Sequence, residues 1–266
     1  MAIKHILVAH DLRSTADLAL RRAAQLARQH NALLTLLHVS EPAQSDAERE
    51  RAEQLLDSSL CRFAPTGSQL LMQAGRAADV VLNATTELGA DLLVLGAHHQ
   101  RHELFSGTTL DRIACGCHIP LLLVSIDDDQ PYQRALAALN FSLCACAAFG
   151  QAYRLLPASA ELHALHVLEP ARGSIAEAEE LLNTQRLLFE QLLLDETRNL
   201  PAGGPTITHT VEPGNMPGVL QNVIGSYQPQ LLVLGCHGRS VLSQALLGSL
   251  AQQYLHRAPC DVLVVR

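Results

Sequence analysis

Along this chain, short runs of nearly continuous apolar residues alternate with stretches whose apolar positions recur every three or four residues. The continuous runs fall at 4–10, 32–39, 68–73, 91–96 and 120–125 in the first half. In the second half they fall at 134–140, 161–167, 206–211, 230–235 and 261–265. Runs without polar alternation predict strands of a parallel sheet covered by helices on both faces. The stretch 14–29 places Leu18, Ala19, Leu20, Ala23, Leu26 and Ala27 at helical spacing, with Ser14 expected as its N-cap. Further helices are expected over 44–62, 76–88 and 108–116, and a long Leu-rich one over 175–199. That last helix has apolar residues enough to face a partner as well as its own sheet. The succession predicts an α/β protein made of two tandem, doubly wound, five-stranded parallel sheets, Rossmann-like in architecture.

The two halves repeat one another in sequence. Leu37-His38-Val39-Ser40-Glu41-Pro42-Ala43 returns as Leu165-His166-Val167-Leu168-Glu169-Pro170-Ala171, and Leu92-Leu93-Val94-Leu95-Gly96 returns as Leu231-Leu232-Val233-Leu234-Gly235. Both pairs occur in the same order, and each half opens on a strand, one ending at Asp11 and the other at Asn140. This predicts a domain over 1–126, a second over 133–266, and an acidic, Pro-containing linker over 127–132. Ligands of such sheets bind beyond the carboxyl ends of the strands, where the strand order reverses. The residues after strands one and four of each half are therefore the places to look.

Composition narrows the chemistry. The 266 residues are 48% hydrophobic and only 17% charged, which excludes a disordered chain and leaves material for a large core. Aromatics are 3% and Trp is absent, so Leu, Val, Ile and Ala must build that core. A net charge of −7 argues against nucleic acid as a partner. Lys4 is the single lysine, so a Schiff-base or phosphate-loop lysine has no other candidate, and no glycine loop precedes it. Seven cysteines without a CxxC pair fit a reducing compartment, and a cytoplasmic location is expected. The opening MAIKHILVAHDL is too short in its apolar part for a secretory signal. The apolar stretch 135–149 contains Asn140 and Ser142 and falls short of a membrane span.

After strand four of the second half the chain reads Gly235-Cys236-His237-Gly238-Arg239-Ser240 and continues to Gly248-Ser249. Glycines at 235 and 238 would let the backbone approach an anion, and the N–H groups opening the next helix would add a nest with a helix dipole behind it. Hydroxyls of Ser240 and Ser249 can donate to phosphate oxygens, with Arg239 as the cation and His237 within reach. Glycines after a strand also simply make tight turns, so the residues alone leave both readings open. The dinucleotide GxGxxG and the Walker loop are both absent.

The duplicated unit, the Gly-x2-Gly-x9-Gly-Ser spacing and the Leu-Val-Leu-Gly-x-His-Gly-Arg-Ser context resemble the universal stress protein family, over nearly the whole chain. The resemblance implies the fold of the adenine nucleotide alpha hydrolases and a tandem member of the ATP-binding branch. It also implies sheet-edge pairing between domains about a pseudo-twofold. By resemblance, phosphates would lie on Gly238, Arg239, Gly248 and Ser249, ribose near Gly235, and adenine against Val167 and the end of strand one at Asn140. The ligand implied is ATP or AMP, with or without Mg2+. The role implied is nucleotide-dependent regulation in stress response through an unknown protein partner. A homodimer through the long helix is a further expectation.

The first half departs from that pattern. Its loop is Gly96-Ala97-His98-His99, so His99 replaces the second glycine, and Gly107-Thr108 follows at a shorter distance. Asp11, Val39, Gly96, His99, Gly107 and Thr108 therefore mark a degenerate copy of the site. Conversely, the carboxylate of Asp11 has only the amide of Asn140 as its counterpart in the second half. The phosphate loop is the harder part to replace, so the second domain is expected to hold the nucleotide. Efficient hydrolysis is not expected, because no acidic pair stands near the loop. A scaffold without nucleotide, a small-ligand or metal-binding protein, and a slow ATPase are the competing readings. His98, His99 and His102 are the candidate metal ligands, and an incidental solvated loop is the alternative. Cys115 and Cys117, like Cys144 and Cys146, are expected to pack rather than react.

Overall fold

The computed structural model describes residues 3–97, 108–169, 174–236 and 247–266. Among these, strands and helices alternate: β1 (His5–His10), α1 (Ser14–His30), β2 (Leu33–Ser40), α2 (Asp46–Phe63), β3 (Gln69–Ala74), α3 (Ala77–Glu87), β4 (Leu92–Gly96), α4 (Thr109–Gly116) and β5 (Leu121–Val124). The second half continues with β6 (Arg134–Ala138), α5 (Leu143–Leu155), β7 (Glu161–Leu168), α6 (Ile175–Thr197), β8 (Thr206–Pro213), α7 (Met216–Tyr227), β9 (Leu231–Gly235), α8 (Ser249–His256) and β10 (Asp261–Val265). These bounds lie within two or three residues of the apolar runs that predict them.

Two compact units divide the chain. The first extends through Pro131 and also takes in α8 and the opening residues Asp261 and Val262 of β10. Its strands lie in the order β3-β2-β1-β4-β5, every pairing parallel. The order reverses between β1 and β4, so Asp11 and Gly96 stand at that switch point. In the second unit the order is β9-β6-β7-β8, again parallel. β4 and β5 are buried along their whole length, as continuous apolar runs between two helical layers should be.

Each unit builds its switch point with the same backbone device. After β1, Asp11 Oδ1 accepts from Arg13 N at 3.1 Å, and Leu12 between them has φ +67°. After β6, Asn140 Oδ1 accepts from Ser142 N at 3.2 Å and from Ser142 Oγ at 2.6 Å, and Phe141 has φ +61°. Left-handed backbone at Leu and Phe is strained, and a local side-chain bond is what holds it. Asn140 thus reproduces the turn of Asp11 without its charge. Ser14 is not the N-cap of α1: Arg13 takes that place in extended conformation, with no side-chain cap, because the Asp11 turn delivers the chain one residue earlier. In α5 the equivalent position is Ser142, whose hydroxyl does accept from Ala145 N.

The repeated Leu-His-Val also has a structural reason. His38 Nδ1 donates to the carbonyl of His10, and His166 Nδ1 to the carbonyl of Leu139, each at 2.8 Å. Both rings are buried, and both satisfy a carbonyl that the ending strand would leave unpaired. These histidines are structural parts of the switch point.

Candidate functional site

Gly96 and Gly235 close β4 and β9, and neither could be alanine without displacement. A Cβ on Gly96 would stand 2.5 Å from Thr15 O, and one on Gly235 would stand 2.8 Å from Ala145 N. Each glycine therefore lets the first turn of α1 or α5 press against its strand. The glycine signal at 235, read from sequence as room for an anion, has this packing role in the structure.

In the second unit, Asn140, Val167 and Gly235 lie at the carboxyl ends of the neighbouring strands β6, β7 and β9. Phe141, which the sequence did not single out, packs its ring edge-on against His166, with centroids 4.8 Å apart. His237, Gly238, Arg239 and Ser240 lie outside the described residues, as do His98, His99, His102 and Gly107. Gly248 and Ser249 open α8, where Gly248 is the N-cap and offers no side chain to the first-turn N–H groups.

The corresponding helix of the first copy begins differently. Thr108 is the N-cap of α4, its hydroxyl accepting from Asp111 N, while Asp111 Oδ2 accepts from Thr108 N at 3.1 Å and from Thr108 Oγ1 at 3.0 Å. Asp111 Oδ1 also meets His256 Nε2 at 2.8 Å, within the same compact unit. A buried carboxylate thus occupies the positive end of the helix, where a phosphate would otherwise be drawn. In α8 the position equivalent to Asp111 is Ala251. The Thr-x-x-Asp spacing is a capping box legible in the sequence. Read as the counterpart of Gly248-Ser249, the pair Gly107-Thr108 sets Thr108 beside Ser249, whereas as helix caps Thr108 and Gly248 are the equivalent positions.

Three of the degenerate-site residues, Asp11, Val39 and Gly96, line one cavity of about 120 Å3 in the first unit, together with Leu37, Val81 and Ile113. His10 borders it too. Its Nδ1 accepts from Leu12 N at 3.0 Å, which leaves Nε2 to donate to Asp17 Oδ1 at 3.1 Å. The ring is therefore neutral, and burial lowers its pKa against the opposing pull of Asp17. A larger groove of about 450 Å3 lies between α6 and β8 and contains none of the residues predicted for a site.

The cysteines are all free. Cys117 and Cys146 are buried, Cys117 Sγ donating to the Ile119 carbonyl, and burial pushes the Cys146 thiol up to about 11, away from reactive thiolate. Among the described residues no three His, Cys, Asp or Glu side chains gather as a metal site, and no helix is long and apolar enough to cross a membrane.

Comparison with known proteins agrees with these repeats. The model of the universal stress protein family matches twice, over residues 2–125 and 131–266. Universal stress protein A of Photorhabdus laumondii is 26% identical over an alignment of 144 positions that covers 49% of this chain and 100% of that protein. Universal stress protein A of Salmonella typhi is 26% identical over an alignment of 145 positions that covers 49% of this chain and 99% of that protein. The crystal structure of a universal stress protein from Archaeoglobus fulgidus superposes with a TM-score of 0.71 at 16% identity, covering 98% of each chain, and so shares the fold. Two family matches, the repeated strand order and the repeated switch-point turns lead to one conclusion: this chain belongs to the universal stress protein family, in a tandem form with two copies of the unit.

Proposed function

We propose that the chain binds one adenine nucleotide, ATP or AMP, through its second copy, and acts as a nucleotide-dependent regulator in stress response. The observation that carries this reading is the contrast between the two helix openings. α8 starts on Gly248 with no side-chain cap and no carboxylate in its first turn, whereas α4 starts on the Thr108–Asp111 box. Free first-turn N–H groups backed by the helix dipole favour a phosphate, and a carboxylate already seated there repels one. Asn140 and Val167 would meet the nucleoside, and Gly238, Arg239, Ser240 and Ser249 the phosphates, with Gly235 and His237 beside them.

The reading is of a binding module. Asn140 brings an amide where the first copy has a carboxylate, and its Oδ1 is engaged by Ser142. It is a poor ligand for Mg2+, which favours charged oxygen donors, so a magnesium ion would reach this site with the nucleotide's own phosphates. Nucleotide occupancy would then alter which protein surface is presented to a partner. α6 supplies a surface for that role, with Leu187, Leu188 and Leu194 exposed along its length.

Calorimetry with ATP and AMP tests the reading on the full chain and on the double variant Gly248→Thr, Ala251→Asp, which gives α8 the cap of α4. Loss of binding in the double variant supports it. Equal affinity in both proteins overturns it.

A further inference from the structure

The cavity of the first copy has the wrong shape and charge for a nucleotide, and those same features describe another ligand. It measures about 120 Å3, somewhat less than the roughly 150 Å3 apolar cavity that admits benzene, and well under the roughly 300 Å3 at which larger small-molecule sites begin. Its walls are Leu37 and Val39 of β2, Val81 of α3, Leu95 of β4 and Ile113 of α4. All five are aliphatic, and all but Val39 are buried or nearly so in the unit. Exposed Asp11, Ala77 and Thr109 mark its mouth.

The described residues around the cavity work against anions in several ways. Among the described residues that line the cavity there is no Lys or Arg. His10 is held neutral, because its Nδ1 is the acceptor for Leu12 N. At the start of α4, the buried Asp111 carboxylate is fixed by Thr108 on one oxygen and His256 on the other. The Asp11 carboxylate stands at the mouth, with Arg13 Nε 3.5 Å from its Oδ2.

We propose that this cavity is a binding site for a small apolar organic molecule of about single-ring size, uncharged or cationic, with its ring among the aliphatic side chains and its polar group at Asp11. The first copy is then a separate ligand site rather than a lost nucleotide site. The inference does not depend on nucleotide binding by the second copy.

Three probes share a ring and differ in charge: benzylamine, benzyl alcohol and benzoate. Each is titrated into the full chain while the methyl resonances of Val81, Leu95 and Ile113 are followed by NMR. Benzylamine and benzyl alcohol are expected to shift these methyls, with benzoate at least about tenfold weaker, because its charge would meet the Asp11 carboxylate at the mouth beside an aliphatic wall. Val81→Phe fills the cavity and is expected to abolish the shifts. Ala77→Phe closes the mouth from an exposed position, so it reports even where Val81→Phe does not fold. Asp11→Asn is expected to lower affinity for benzylamine more than for benzyl alcohol. Silence of all three probes, equal binding of benzoate, or undiminished binding in a folded Ala77→Phe protein would overturn the proposal.

Discussion

Arg22 Nε lies 3.4 Å from Asp261 Oδ2, and both side chains are completely buried. One comes from α1 and the other opens β10, so an ion pair between residues near opposite ends of the chain sits inside the first compact unit. Its remaining polar atoms are engaged as well. Asp261 Oδ1 accepts from Ser125 N at 2.8 Å and from Ile126 N at 3.1 Å, and Arg22 donates to the carbonyls of Asp128 and Gln130. The pair therefore ties the segment after β5 to the end of the chain.

Breaking such a pair on one side leaves a buried charge without compensation, at a cost of about 3–5 kcal/mol. Asp261→Ala and Arg22→Ala are each expected to lose that much in denaturant unfolding. The joint replacement Arg22→Met, Asp261→Leu is expected to cost much less than the two single losses added together. Additive losses in the double variant would show that the ion pair is not what couples these positions.

Acid should weaken the fold through His10. Its pKa is lowered in the folded state, chiefly by burial, with the Asp17 hydrogen bond pulling the other way. The unfolded chain therefore takes up a proton first as pH falls. The stability contributed by neutral His10 is present above its unfolded pKa of about 6.5 and is lost as pH falls through that value toward the folded one. Protonation would also remove the acceptor for Leu12 N and release the strained turn that carries Asp11. The melting temperature is expected to fall between about pH 7 and pH 5.5, less steeply in His10→Asn than in the parent chain. Identical slopes would remove His10 from the account.

The glycines at the switch points answer to packing. Gly96→Ala and Gly235→Ala each force a Cβ against helix backbone, and such overpacking costs about 1–3 kcal/mol. Gly225→Ala, where a Cβ meets nothing within 4 Å, is the control and is expected to be neutral or stabilising. Thermal unfolding of the three variants reads the difference.

Much of this fold is legible in the sequence because buried parallel strands have no polar alternation to hide them. Runs such as Leu92–Gly96 and Leu231–Gly235 show both the strand and its repetition. The repeated histidines mark the repeat for a reason that only the structure supplies, the carbonyls of His10 and Leu139. A Ser before an apolar face resembles a cap and points to Ser14 at the start of α1, whereas the turn set by Asp11 decides where the helix begins and makes Arg13 the N-cap. The Arg22–Asp261 pair is invisible to local pattern, since nothing near either residue marks the other. At the site, the residues after each strand follow from the strand order, but the charge at the start of α4 comes from a third-position carboxylate. That carboxylate has meaning only when the two helix openings are compared.

That comparison supplies the central measurement. The chain is purified without added nucleotide and denatured, and adenine nucleotide released per chain is quantified for the parent and for Gly248→Thr, Ala251→Asp. The new cap should keep or raise helix stability by about 1 kcal/mol, so the fold serves as its own control. The account predicts up to one nucleotide per parent chain, with affinity in calorimetry falling at least about tenfold in the variant, equivalent to roughly 1.4 kcal/mol. Two nucleotides per chain, or undiminished binding by the folded variant, would contradict it.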